Sequence, residues 1–569
     1  MIGSVPLEEF SYGLDLSGAD PASLNDALRA VTLEVMSDPM RVAPIMTSLM
    51  LAQQGVAMNT MRRMQGENPA PVIDVAGDKR FADEAWTSNP FLISMVEEYL
   101  VRRQYAQQLV EASRLPEGTK RKARFAMNML LDALAPSNVP WLNPAVVREA
   151  LDSGGESLVR GMAEFLDDVQ NNGGYPKQVD TSSFVLGTNL AATPGEIVFR
   201  NELIELIAYY PQTDEVYERP IVFSPPWINK YYLMDLAPGR SWVEWAVKNG
   251  HQAFMISYRN PDESMREYTM DTYLEKGLLA ALEAIERITG APQVNVAALC
   301  LGGTMAALML AYLAAKGEEQ RVGAITMTNT IVDFAQPGDL GVFTDEASIA
   351  RLEEKMKERG YLDSSEMAGT FNWMRANDLI WSYVVSGWYM GKKPPAFDIL
   401  AWNADSTRMP AAMHSQYLRS CYLHNLLVVP NAFVLDGVPI DLGRIQTPMY
   451  VLGAENDHIA PWRTTYATSQ YVGGPVKYTR TNSGHIAGVC NPPGNPKACY
   501  WTTEQVEPGE EPDAWLARSA KHQGSWWEDW AAWAHAHGGA RRTPYVLPAS
   551  GEPAPGRYVR NLSYEATTV

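Results

Sequence analysis

Cysteine, histidine and positive charge are scarce in this chain, and each scarcity narrows what the chain does. Four cysteines in 569 residues, at Cys300, Cys421, Cys490 and Cys499, are too few for a disulfide-dense scaffold. None shows the short paired spacing of a zinc site, so no metal and a reducing, cytoplasmic compartment are expected. The eight histidines begin only at His251, which leaves the preceding stretch without a metal-ligating or acid–base cluster. Lysine and arginine total 47 against 66 aspartate and glutamate, a net charge of -19; a polyanion partner needs a basic surface, so nucleic acid is not expected. The longest strongly apolar stretch, Met305 to Ala315, falls short of the ~20 residues of a membrane span. Met1 to Glu9 lacks a basic segment followed by an apolar run, so a secretory leader is not expected.

What is present is a large globular chain. Its hydrophobic content of 46% and 16 tryptophans indicate extensive packing, and its length exceeds one ordinary core. Residues 1–195 read as an N-terminal helical domain, with helical apolar spacing over Leu24–Met36, Phe91–Leu109 and Ala123–Leu134. Proline and glycine punctuate it at Pro69-Ala70-Pro71, Leu115-Pro116-Glu117-Gly118 and Asn172-Gly173-Gly174. From 196 to 569 strands alternate with helices: Ile221–Ser224, Ala253–Tyr258, Val294–Leu299, Ala324–Thr328 and, after a gap, Met449–Gly453. Buried runs separated by helices specify a doubly wound, mostly parallel sheet. The gap, about 333–440, carries aromatic helical segments such as Phe371–Arg375 and Leu379–Tyr383. It is expected to form a helical cap over the active site.

One turn in this pattern carries chemistry. Ala298-Leu299-Cys300-Leu301-Gly302-Gly303 follows a strand and opens a helix, the strand–turn–helix context of a nucleophile elbow in the α/β-hydrolase fold. A cysteine at its centre shifts the expected reaction from ester hydrolysis toward acyl transfer through a thioester. A thiol nucleophile needs a base, and the base an orienting acid. In the expected chain order these are Asp457, at the end of the strand-like Tyr450–Gly453, and His485, past Val476–Thr479. Glu455 and His458 are the alternatives for acid and base. His458, immediately after the acid, suits a substrate-facing role better. The oxyanion hole is expected from the backbone N–H of Leu301 together with one near Ile228 or Asn229, in the loop after the first parallel strand.

These residues resemble those of the poly(3-hydroxyalkanoate) synthases, from about Asp78 to Val559. The resemblance is carried by the cysteine elbow, Pro225-Pro226-Trp227-Ile228-Asn229-Lys230-Tyr231-Tyr232, Tyr258-Arg259-Asn260-Pro261-Asp262, Trp402-Asn403-Ala404-Asp405-Ser406-Thr407, Gly484-His485-Ile486-Ala487-Gly488 and Gly524-Ser525-Trp526-Trp527. It implies the triad Cys300, Asp457 and His485, and a 3-hydroxyacyl-CoA substrate with no cofactor. It further implies a growing polyester chain as partner, a homodimer, and a place at the surface of cytoplasmic storage granules. Arg375 matches a family arginine associated with the CoA end of the substrate, and Trp402 a tryptophan near the channel. Ala298 stands where the family usually has glycine and Tyr258 where it usually has tryptophan; both bear on monomer choice and neither on the triad. Ile331–Phe334 and Tyr417–Arg419 look like the short-chain class, Asn491–Lys497 and Asn171–Gly174 like the medium-chain class, and the short-chain class is the expectation. The competing readings are a cysteine-dependent thioesterase or depolymerase, and a non-catalytic granule protein.

Overall fold

The computed structural model describes residues 20–549 and 551–561. They form two compact units: one extends to Asp180 and also takes in Ser365–Ala396, the other comprises Thr181–Ser364 and the chain from Phe397 on. The division falls before the sequence boundary at 195. Part of the 333–440 insertion belongs with the helical unit, and the remainder with the sheet.

The helical unit contains α1 (Pro21–Ser37), α2 (Pro39–Met64), α3 (Pro90–Ala112), α4 (Glu117–Ala133) and α5 (Glu156–Asn171). Three of these begin with proline, whose fixed φ suits a first turn and whose missing N–H would have no intrahelical partner there. Asn89 caps α3, its side chain accepting from the N–H of Phe91 and Leu92. Phe81, Trp86, Val96, Tyr99 and Ala135 make a buried cluster. Arg63 of α2 pairs inside the unit with Glu97 of α3, both side chains nearly inaccessible. Helix α2, bounded by Pro39 and by Gly66 just past its end, is not legible as a separate element in the sequence. Its apolar residues are largely exposed, among them Met40, Met50, Met58, Met61 and Met64, so they lack the one-sided pattern a buried helix gives.

The second unit is organised by ten strands: β1 (Gly195–Arg200), β2 (Ile204–Tyr209), β3 (Ile221–Ser224), β4 (Ala253–Tyr258), β5 (Val294–Leu299), β6 (Val322–Thr328), β7 (Met449–Ala454), β8 (Val476–Thr481), β9 (Cys499–Thr502) and β10 (Ala520–Gln523). Their order across the sheet is β1-β2-β4-β3-β5-β6-β7-β8-β9-β10. The six from β4 to β8 are parallel, and antiparallel pairs flank them at both edges. The central strands are buried along their whole length, β3, β4, β5 and β7 completely, which is why they read as continuous apolar runs rather than alternating ones. This is the doubly wound sheet expected of an α/β-hydrolase. Helix α6 (Leu301–Lys316), alanine- and leucine-rich and buried from Leu301 to Leu313, follows β5 directly.

Candidate active site

The carboxyl ends of β5, β6, β7 and β8, four neighbours in the sheet, each deliver a residue to one place. In open parallel sheets this edge is where ligands bind. Cys300 sits between β5 and α6 with φ 50° and ψ -119°, a region costly for a side chain bearing a Cβ. Its amide N–H donates to the Thr328 carbonyl at 2.9 Å, and Thr330 Oγ1 donates to its carbonyl at 3.2 Å. These bonds from the end of β6 hold the turn in its unusual conformation. Cys300 is the one partly exposed cysteine; Cys421, Cys490 and Cys499 are buried.

The turn is possible because Gly302 and Gly303, which follow Leu301, have no side chain. A Cβ on Gly302 would lie 2.1 Å from the Ser224 carbonyl oxygen, and one on Gly303 1.9 Å from Thr330 Oγ1. Gly302→Ala therefore has to push α6 away from the loop after β3, or the loop away from α6. A displacement of about an ångström at a reacting group costs on the order of 100-fold. We expect a loss of that size in the acylation of Cys300 by an activated thioester, together with a lower Tm; wild-type rates and Tm would show that the packing at Ser224 relaxes freely.

His485 opens a short helix, α7 (His485–Val489), and is buried. Its Nδ1 lies 2.6 Å from Asp457 Oδ2, and Cys300 is near enough to act on the ring electrostatically. The other Asp457 oxygen accepts from the backbone N–H of Ile459 at 2.9 Å and of Ala460 at 2.8 Å, so both carboxylate oxygens are committed. Burial works against a charged imidazole, but the Asp457 carboxylate and Cys300 outweigh it and push the His485 pKa up to about 10. Asp457 meets His485, while Glu455 reaches Arg480 instead, at 3.5 Å. His458 turns its backbone carbonyl to the amide of Asp339, at 3.0 Å.

Leu301 is the first residue of α6; a first-turn N–H has no intrahelical acceptor, and it lies at the positive end of the helix dipole. The loop Ser224–Lys230 touches the elbow through the Ser224 and Pro225 carbonyls. Asn229 is bridged to Ser406, and Ile228 precedes it. Trp402 is buried, and its indole N–H donates to the Lys230 carbonyl at 2.8 Å. It thus supports the far end of this loop. Arg375 belongs to the helical unit, where it is about half exposed and paired with Asp378 one turn on.

Two groups escaped the sequence reading. Asn329, at the end of β6 with φ 48°, donates through Nδ2 to the His485 carbonyl at 2.5 Å and so ties His485 to the strand beside Cys300. Its signal is topological: β6 lies between β5 and β7, so the residue after it must lie between Cys300 and Asp457. The second is an aromatic cluster: Phe334 packs on Tyr417 and Tyr422, with ring centroids 6.1 and 4.9 Å away, and Trp227 on Tyr417 at 5.7 Å. Burial raises both tyrosine pKa values, with Cys300 and Cys421 acting in the same direction, so both hydroxyls remain protonated donors. These residues come from three distant segments, and nothing local in the sequence marks them as neighbours.

Among the described residues, no group of three or more histidine, cysteine or acidic side chains is placed to hold a metal ion, and no helix is long and apolar enough to cross a membrane. Comparison with known proteins gives the family and the fold. Residues 77–246 match the family described as poly-beta-hydroxybutyrate polymerase (PhaC) N-terminus, and residues 236–489 match the alpha/beta hydrolase fold. The chain is 42% identical over 571 residues to a poly(3-hydroxyalkanoate) polymerase of Methylorubrum extorquens, covering 98% of this chain and 94% of that one. It is 42% identical over 538 residues to the poly(3-hydroxyalkanoate) polymerase subunit PhaC of Rhizobium etli (92% and 84% covered). To the subunit of the same name from Cupriavidus necator it is 40% identical over 494 residues (85% and 83% covered). Relatives this similar, aligned along nearly the whole length, show that the chain belongs to the poly(3-hydroxyalkanoate) polymerase family, on an α/β-hydrolase fold.

Proposed function

We propose that this protein polymerises 3-hydroxyacyl groups from CoA thioesters into a polyester, with Cys300 as the covalent carrier. The observation that carries this reading is the convergence of Cys300, His485 and Asp457 at the carboxyl edge of the sheet, with His485 hydrogen-bonded to Asp457 and Cys300 beside it. The raised His485 pKa favours an imidazolium beside a thiolate. The Cys300 sulfur attacks the thioester carbonyl, and charge on the carbonyl oxygen is met by the N–H of Leu301 and one from Ile228 or Asn229. Collapse breaks the bond to the CoA sulfur, and CoA leaves as the thiol with the proton of His485. The 3-hydroxyl of a second acyl group then gives its proton to His485 and attacks the Cys300-bound carbonyl. An ester C–O bond forms, the C–S bond breaks, and the thiolate returns beside the imidazolium. In this reading Asp457, hydrogen-bonded through Oδ2 to His485 Nδ1, orients the imidazole.

Under this reading Arg375 pairs with CoA phosphates by exchanging its Asp378 partner. Trp402 shapes the channel from behind Lys230, and His458 stands at its mouth. The part of the insertion that belongs with the sheet caps the site, and residues 1–195 serve assembly and attachment. Exposed apolar side chains on α2 and, on α5, Leu158, Val159, Met162 and Leu166 support a homodimer or contact with the polyester granule in the cytoplasm, because patches of this kind mark interaction surfaces. The phenols of Tyr417 and Tyr422 beside Phe334 and Trp227 favour a short acyl side chain.

The deciding experiment supplies 3-hydroxyacyl-CoA of graded chain length and follows both CoA release and the product. Release of CoA with chloroform-soluble polymer, fastest for the shortest monomer, is the expected outcome. Release with free 3-hydroxy acid alone would make the protein a thioesterase, and no release would make it a non-catalytic granule protein.

A further inference from the structure

The loop Ser224–Lys230 has a second anchor, far along the chain. Lys230 is 3% exposed, and a buried ammonium is costly unless its protons are taken up. Its Nζ donates to the Val559 carbonyl at 2.9 Å and to the side-chain oxygen of Asn561. Asn561 Oδ1 also accepts from Asn260 Nδ2 at 3.1 Å. The Asp405 carboxylate acts on it electrostatically and is itself engaged by the Tyr232 hydroxyl at 3.0 Å.

The segment that receives Lys230 is fixed independently. Glu205 of β2, fully buried, accepts from the backbone N–H of Arg557 and of Tyr558, each at 3.0 Å. The Tyr558 hydroxyl donates to the Asn201 carbonyl at 2.6 Å. Arg200 closes the arrangement by pairing with Glu205 at 2.5 Å and Glu552 at 2.6 Å. Arg557–Asn561 is therefore a rigid strap bolted to the sheet edge, and Lys230 is the group through which it holds the loop. At its start the loop rests on Gly302. At its end, the Lys230 carbonyl is held by Trp402 and its ammonium by the strap. Ile228 and Asn229 are suspended between these supports.

We infer that Lys230 is a positioning residue: through Val559 and Asn561 it sets the backbone of Ile228 and Asn229 against the carbonyl oxygen bound at Cys300. This rests on the polymerase reading and on the second oxyanion donor coming from this loop. An oxyanion donor acts mainly in the transition state, so misplacing it lowers kcat and leaves KM nearly alone. The thiolate, held by His485, is not affected.

The test uses the full chain and the variants Lys230→Met, Lys230→Arg and Asn561→Gly. Glycine keeps the left-handed backbone of Asn561, φ 59°, while deleting its oxygen, and the site is exposed, so this variant folds. For Lys230→Met we expect kcat for CoA release to fall about 10- to 100-fold with KM within about twofold. Asn561→Gly should lose less, the double variant no more than Lys230→Met alone, and Lys230→Arg should recover part of the loss. Alkylation of Cys300 by iodoacetamide should keep the wild-type rate in all of them. Wild-type kcat in both Lys230→Met and Asn561→Gly, multiplicative losses in the double variant, or alkylation falling in step with kcat each overturn the inference. A wild-type chain that releases no CoA overturns the polymerase reading and this inference with it, whereas an active wild type beside unchanged variants overturns this inference alone.

Discussion

Cys300→Ala is expected to abolish CoA release from 3-hydroxyacyl-CoA, by about 10⁴-fold or more, while the protein stays folded with a Tm close to wild type. The argument for the first half is covalent: alanine offers no atom for the acyl group, and water must replace a thiolate held beside an imidazolium. The argument for the second half is geometric. The Cys300 backbone is held in its left-handed conformation by Thr328 and Thr330, through backbone atoms alanine also has. Alanine carries the same Cβ into that conformation, so the strain is unchanged. Mass spectrometry after incubation with substrate supplies the direct check, with an acyl adduct on Cys300 in the wild type and none in the variant. Turnover retained in Cys300→Ala would remove the nucleophile from its place.

Asp457→Asn is expected to lower kcat by about 10³- to 10⁴-fold, for a reason separable from the first. The amide keeps the volume and one acceptor oxygen but loses the charge that holds His485 up at about 10. Once the His485 pKa falls, the proton returns to sulfur, and the rate of iodoacetamide reaction at Cys300 at pH 7 should fall with it. The same charge makes a stability prediction. A folded-state pKa above the unfolded histidine value of about 6.5 stabilises the native protein fully below that value, and the contribution disappears as pH rises toward about 10. Wild type should therefore lose its Tm advantage over Asp457→Asn across this window. Parallel Tm profiles from pH 6 to 10, with unchanged alkylation, would show that Asp457 does not act through the charge on His485.

Much of this site could be read before any coordinates, because its logic is local. The strand, the small-residue turn and the helix around Cys300 are contiguous in sequence, and so are the strand ends that carry Asp457 and His485. The central strands were legible for the same reason: buried on both faces, they are unbroken apolar runs. The edge strands were not. Glu205 and Arg200 interrupt β1 and β2 with charges that pair with each other and with Glu552, and β10 is exposed throughout, so neither gives the pattern of a buried strand. Asn329, Tyr417, Tyr422 and the strap at Arg557–Asn561 were invisible because their roles arise from long-range contacts. The insertion read as one cap is divided between two units, since helical spacing reports that a segment packs, not what it packs against.

Cys300, Asn329, Asp457 and His485 come from four adjacent strands, yet the chain makes a long excursion between Thr328 and Met449 before returning to the sheet. Distances among the reacting groups are set by the spacing of strands, about 4.8 Å each, and not by the length of what lies between them. Lengthening a connection costs little, roughly 0.6 kcal/mol per doubling. Evolution and engineering can therefore exchange the excursion for another, altering which acyl groups are admitted, while the sheet works as a ruler that keeps sulfur, imidazole and carboxylate in register.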